Sequence, residues 1–79
     1  MTILDPAKLS YSALVTGVRR QLALSQEDLA RLLGVSYATV NRWENGHNLP
    51  SRLARAQLNS FCEQMVENGK LVLLEGQRP

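Results

Sequence analysis

The sequence predicts an all-α domain of four or five helices around one core. Three observations point there. Apolar residues recur at helical spacing: Leu14, Val18 and Leu22 at i, i+4 and i+8, then Ala54, Leu58, Phe61 and Met65 at i, i+4, i+7 and i+11. Ser25, Ser36 and Ser51 stand where helices should start, and Gly34, Asn45-Gly46 and Asn68-Gly69 where they should stop. Apolar and polar residues do not alternate over enough of the chain for a sheet, and no repeat or low-complexity segment is visible.

Residues 1–6 are expected to form a flexible N-terminal arm ending at Pro6, and residues 7–69 the folded domain. A first helix should run from about Ala7 to Ala23, with Gly17 a weak point inside it. Ser25 opens the second helix, and Ser25 with Asp28 resembles a capping box in which Asp replaces the usual Glu or Gln. Leu29, Ala30, Leu32 and Leu33 should supply its buried face. Gly34 ends it by permitting a left-handed turn, and Val35 plugs that turn. Ser36 caps a third helix that reaches about Glu44. After the connector His47-Asn48-Leu49-Pro50, Ser51 caps a last helix ending near Asn68-Gly69. The tail, residues 70–79, reads two ways. Leu71 to Leu74 can be a short strand or a loop, and with Phe61, Met65 and Val66 they can complete the core or form a two-fold dimer surface.

Size and composition bound the function. A domain of 79 residues buries only about 60% of its unfolded surface, so dimerisation or regular helix packing would help it. The single cysteine, Cys62, excludes an internal disulfide and a cysteine-based zinc site. It is expected to be a core or interface thiol rather than a redox sensor. No apolar run approaches a membrane span, and the opening MTILDPAKLS lacks the basic-then-apolar pattern of a signal peptide. A cytoplasmic protein is the expectation. No metal site or cofactor is expected. No paired carboxylates, nucleophile–base pair or glycine-rich phosphate loop suggests an enzyme. Net charge is +2, and residues 1–55 hold seven Lys/Arg against four Asp/Glu. Positive charge thus lies in the part of the chain that contains the second and third helices, as an anionic partner would require; an ordinary solvated surface is the alternative.

The third helix has a particular outward face. At 100° per residue, Tyr37, Ala38, Asn41, Arg42 and Asn45 fall within an arc of about 140°, and Val40 and Trp43 lie about 60° apart on the opposite side. The apolar pair should pin the helix to the body. Arg42 can bond guanine N7 and O6 together, Asn41 can pair with adenine, and Ala38 can touch a thymine methyl. Tyr37 can reach a base edge or a phosphate. A plain amphipathic surface helix is the alternative, but its usual fillers are Lys and Glu, and this face has neither. Gln26 sits at the second helix's N-terminus, where free N–H groups favour an anion, and its amide can donate to a phosphate. Ser36 can cap its helix and touch phosphate. Thr39, His47, Arg52 and Arg55 are further phosphate candidates; Arg52 and Arg55 read equally well as a solvated face, and a lone loop histidine such as His47 is more often just surface.

These residues resemble the phage repressor/Cro-like helix-turn-helix family, also called the Xre family, over roughly Val18 to Pro50. The family pattern has a Gln opening the first motif helix, a small residue four positions on, a Gly in the turn and apolar anchors in the second helix. Here these are Gln26, Ala30, Gly34, Val40 and Trp43, and the ending Trp43-Glu44-Asn45-Gly46 is also typical. The resemblance implies a lambda-repressor-like bundle that binds double-stranded DNA through the major groove. It implies base contacts from Tyr37, Ala38, Asn41 and Arg42 and phosphate contacts from Gln26, Ser36 and Asn45. It implies a structural pair between Arg19 and Glu44. The expected function is a transcriptional regulator, most often a dimeric repressor that occludes a promoter. An antitoxin that also binds a toxin protein, or an adaptor without DNA, are the rivals. Two departures stand out. One long helix after Pro50 replaces the last two helices of many relatives, and His47 stands where they often place Lys or Arg.

Overall fold

Helix boundaries follow local side-chain chemistry. In the computed structural model, which describes residues 6–73, the elements are α1 (Pro6–Gln21), α2 (Gln26–Leu33), α3 (Tyr37–Glu44) and α4 (Arg52–Glu67). Of the arm expected at residues 1–6, residues 1–5 lie outside the described residues, as does the tail beyond residue 73, while Pro6 belongs to α1 and not to the arm. Four helices and no strand are found among the described residues.

All three predicted serine caps form. Ser25 Oγ accepts from the Asp28 N–H at 3.0 Å, and Asp28 Oδ2 accepts from the Ser25 N–H at 3.2 Å, which completes the capping box. Ser36 Oγ accepts from the Thr39 N–H at 3.1 Å, and Ser51 Oγ from the Ala54 N–H at 3.2 Å. Each satisfies an N–H that the helix itself leaves unpaired.

The four C-termini share one device. Two successive N–H groups beyond each helix turn back to carbonyls of its last turn, around a residue of positive φ. After α2, the Val35 N–H reaches the Ala30 carbonyl at 2.9 Å, with Gly34 at φ 73°. Gly46 and Gly69 occupy the same place after α3 and α4. After α1 the place belongs to Ala23, at φ 55°, with the Leu24 N–H donating to the Arg19 carbonyl at 2.9 Å. The expectation of helix through Ala23 is therefore corrected, because α1 ends at Gln21 and Ala23 is the turning residue. A Cβ in the left-handed region meets a carbonyl oxygen, so this turn carries strain that glycine would not.

The core gathers one face of every helix. Leu14, Val15 and Val18 come from α1, Leu29, Ala30 and Leu33 from α2, Val40 and Trp43 from α3, and Ala54, Leu58 and Cys62 from α4. Phe61, Met65 and Val66 pack half-buried against it. Leu32 does not join, being 59% exposed, so the prediction that it is buried fails. It lies over a groove between α2 and α4. Cys62 is fully buried, and burial, helped by nearby Glu63, pushes its thiol pKa up to about 11. Its role is packing.

Within the described residues the tail is a loop. Leu71 is buried in the core and Leu73 packs against it. The Gln21 side chain pins it: Nε2 donates to the Val72 carbonyl at 2.8 Å, and Oε1 accepts from the Val72 N–H at 2.9 Å. That reciprocal pair imitates a strand rung without a strand. Of the apolar surplus, Leu71 is core, Phe61, Met65, Val66 and Leu73 pack half-buried against it, and Val72 stands open, at 73% exposure.

A candidate nucleic-acid interface

The site is the outward face of α3, which packs against both α1 and α2. Its inward side is Val40 and Trp43, exposed by 0% and 2%. Burying a tryptophan side chain this fully fixes the rotation of the helix, since turning it would return the indole to water. Tyr37, Ala38, Arg42 and Asn45 are exposed as the helical arc requires, and Asn41 is half-buried.

An ion pair sets the angle of α3. Arg19 on α1 donates from Nε to Glu44 Oε2 at 2.9 Å and from Nη2 to Oε1 at 2.9 Å. Thr16 Oγ1 adds a bond to Oε1 at 3.1 Å, and Ser12 Oγ donates to the Glu44 main-chain carbonyl. Arg19 Nη1 also reaches the Leu24 carbonyl at 3.3 Å, so one guanidinium ties α1, the α1–α2 turn and α3 together. Burial pushes the Glu44 pKa up, but hydrogen bonds from Arg19, Gln26 and Thr16 and the Arg19 charge outweigh it. The carboxyl lies below its ordinary range. Arg19 is held above its ordinary value mainly by its hydrogen bonds to Glu44. The structural role expected of this pair is what the geometry displays.

On the outer side a second set of bonds runs through amides. Asn41 Nδ2 donates to Gln26 Oε1 at 3.1 Å, and Asn45 Nδ2 donates to Asn41 Oδ1 at 3.0 Å. Gln26 at the start of α2 is thereby joined to two turns of α3. Each amide keeps at least one lone pair and one N–H beyond these bonds. No spacing of residues signals this relay, because it depends on the angle between α2 and α3. Gln26, Asn41 and Asn45 are adjacent in space; Tyr37, Ala38 and Arg42 share their face.

Ser36 and Thr39 sit together at the N-terminus of α3, hydroxyl to hydroxyl at 2.8 Å. His47 is exposed just beyond the C-terminus. Arg52 and Arg55 stand apart on α4, exposed and without a hydrogen bond or ion pair to the α3 group. Among the described residues, Arg42 has no carboxylate partner, the ion pairs being Arg19–Glu44 and an exposed Arg31–Asp28 contact at 3.9 Å. No group of metal-binding side chains occurs among these residues.

Two short helices are thus joined by a glycine turn, the second pinned by apolar anchors and open along its polar side. A family model for helix-turn-helix domains matches residues 18–53, which takes in α2, α3 and the turn between them. Residues 18–53 are a helix-turn-helix domain of the repressor/Cro-like family. No curated protein and no solved structure matches the chain. At the level of its family this helix-turn-helix protein is a DNA-binding transcriptional regulator. In helix-turn-helix domains the second helix of the motif enters the major groove, and here that helix is α3. No described helix is long and apolar enough to cross a membrane.

Proposed function

We propose that this protein is a sequence-specific repressor that works by occupying a promoter. The observation that carries the reading is the division of α3. Val40 and Trp43 are buried, while Tyr37, Ala38 and Arg42 face outward with no carboxylate beside Arg42 among the described residues. An unpaired guanidinium on a rigid helix needs no internal ion pair broken before it meets a base.

In this reading Arg42 takes guanine, Ala38 touches a thymine methyl, and Tyr37 reaches a base edge or phosphate. Asn41 reads one base with the hydrogen-bonding capacity the relay leaves it. Gln26, Ser36 and Asn45 contact phosphates, with Thr39, His47 and Arg55 at the edges. Such contacts anchor the helix without sequence information. Two copies reading two half-sites about 34 Å apart would suit an operator with two-fold symmetry.

Selection from a random DNA library at fixed salt tests this. A palindromic enriched site supports sequence-specific reading by a dimer. No enrichment over non-specific binding favours the adaptor role instead, and co-purification of a toxin encoded beside this gene would support the antitoxin role.

A further inference from the structure

Helix α4 has an exposed stripe that neither the core nor the DNA face uses. At 100° per residue, Leu53, Ala56, Gln57, Ser60 and Gln64 fall within an arc of about 100°. All five are exposed, Leu53 by 71%, and none is charged. Beside the stripe lies the groove between α2 and α4, about 350 Å³, formed by Leu32 and Leu33 on one side and Ala56, Ser60, Phe61 and Gln64 on the other. The cores of interfaces are depleted in charged residues, and this stripe carries none.

We propose that a second copy of this chain occupies that face, with the two α4 helices antiparallel about a two-fold axis. The residues themselves favour this occupant. An axis perpendicular to two antiparallel helices brings the same flank of each together with the direction reversed. Arg52 and Glu63 lie about 20° apart on one flank of the stripe, and both are exposed and without an ion pair among the described residues. Antiparallel pairing sets Arg52 against Glu63 of the partner subunit, and the reverse pair forms by symmetry. The same register sets Leu53 against Gln64 of the partner subunit and Ala56 against Ser60 of the partner subunit. All three pairings are centred near Leu58, so one register satisfies them together. The small residues at the centre let the helices approach, and Leu53 reaches the partner's groove between α2 and α4. Each copy supplies both the projecting side chain and the hollow, as an isologous interface requires. Arg52 then answers to a carboxylate of the partner rather than to a phosphate.

This inference deepens the two-copy part of the reading proposed above, by naming the surface that joins the copies, and its test needs no DNA. Sedimentation equilibrium of the full chain, free of DNA, tests it. The expected result is a concentration-dependent dimer. Leu53→Asp and Arg52→Glu should each raise the dissociation constant at least about tenfold, and Arg52→Glu combined with Glu63→Arg should return it to within about threefold of wild type. Arg52→Glu places an acid at a helix N-terminus, which favours the helix, so its weaker dimer would not mean unfolding; circular dichroism checks this. A wild-type monomer at all concentrations, a dimer indifferent to Leu53→Asp, or a charge swap that fails to restore would overturn the proposal. A dimer that obeys all three variants but binds no DNA would refute the repressor reading and leave this one intact.

Discussion

Arg19 and Glu44 meet as a two-pronged pair, 2.9 Å at each contact, with only 6% of the Glu44 side chain exposed. They are 25 residues apart in sequence. The pair joins α1 to the helix proposed to face DNA, so its loss should change both stability and the pose of α3.

Glu44→Gln should cost about 2–4 kcal/mol at neutral pH, since it leaves a partly buried guanidinium without its counter-charge. The pH dependence follows from the lowered Glu44 pKa. The clamp's contribution is fully present above the unfolded carboxyl's value, about 4.5, and is lost as pH falls through the lower folded value. Urea unfolding of wild type and variant should therefore differ most near neutral pH and converge in acid. An equal difference at pH 3 and pH 7 would speak against the pair.

Ala23→Gly should stabilise the protein by about 0.5–1 kcal/mol, because the left-handed turn after α1 then carries no Cβ. A thermal melt should rise by about 2–8 °C. A fall would mean that the entropy glycine adds to the unfolded chain outweighs the strain relieved.

Leu71→Ala should cost about 2–4 kcal/mol as a cavity in the core, whereas Val72→Ala, at an exposed position, should change stability by no more than about 0.5 kcal/mol. Denaturant titration of both separates a tail that completes the core from one that only drapes over it.

Gln26→Ala should weaken binding to every DNA sequence, through a lost phosphate contact, and should also blur preference at the base facing Asn41, because the 3.1 Å bond that orients Asn41 is gone. Affinities for operators altered one base at a time would register both effects. A uniform loss alone would mean that the relay does not orient the reader.

The parts of this protein that were legible in the sequence are the ones fixed locally. A serine with a free N–H three residues ahead, or a glycine at a left-handed turn, acts within one helical turn, so Ser25, Ser36, Ser51 and Gly34 marked their boundaries correctly. Ala23 hid the end of α1, since nothing in an alanine announces a positive φ. Leu32 had the spacing of a core residue, yet burial needs a neighbour, and α4 leaves a groove there. Val15 is fully buried beside Leu14, on a part of the stripe that the i, i+4 count passed over. The outward face of α3 was visible as an arc. The amide relay was not, because Gln26 and Asn41 meet only through the angle between two helices. The tail admits two readings in the sequence for the same reason: the seat of Leu71 in the core is tied to Gln21, 51 residues from the Val72 backbone it holds.

Arg42→Ala tests the central claim most directly, measured as affinity at fixed salt for the selected operator and its single-base variants. Arg42 is exposed and unpaired among the described residues, so the fold should survive. The variant should lose about 1–3 kcal/mol of discrimination at one base position and keep its preferences elsewhere. A variant that binds every sequence as the wild type does would contradict α3 as the helix that reads DNA.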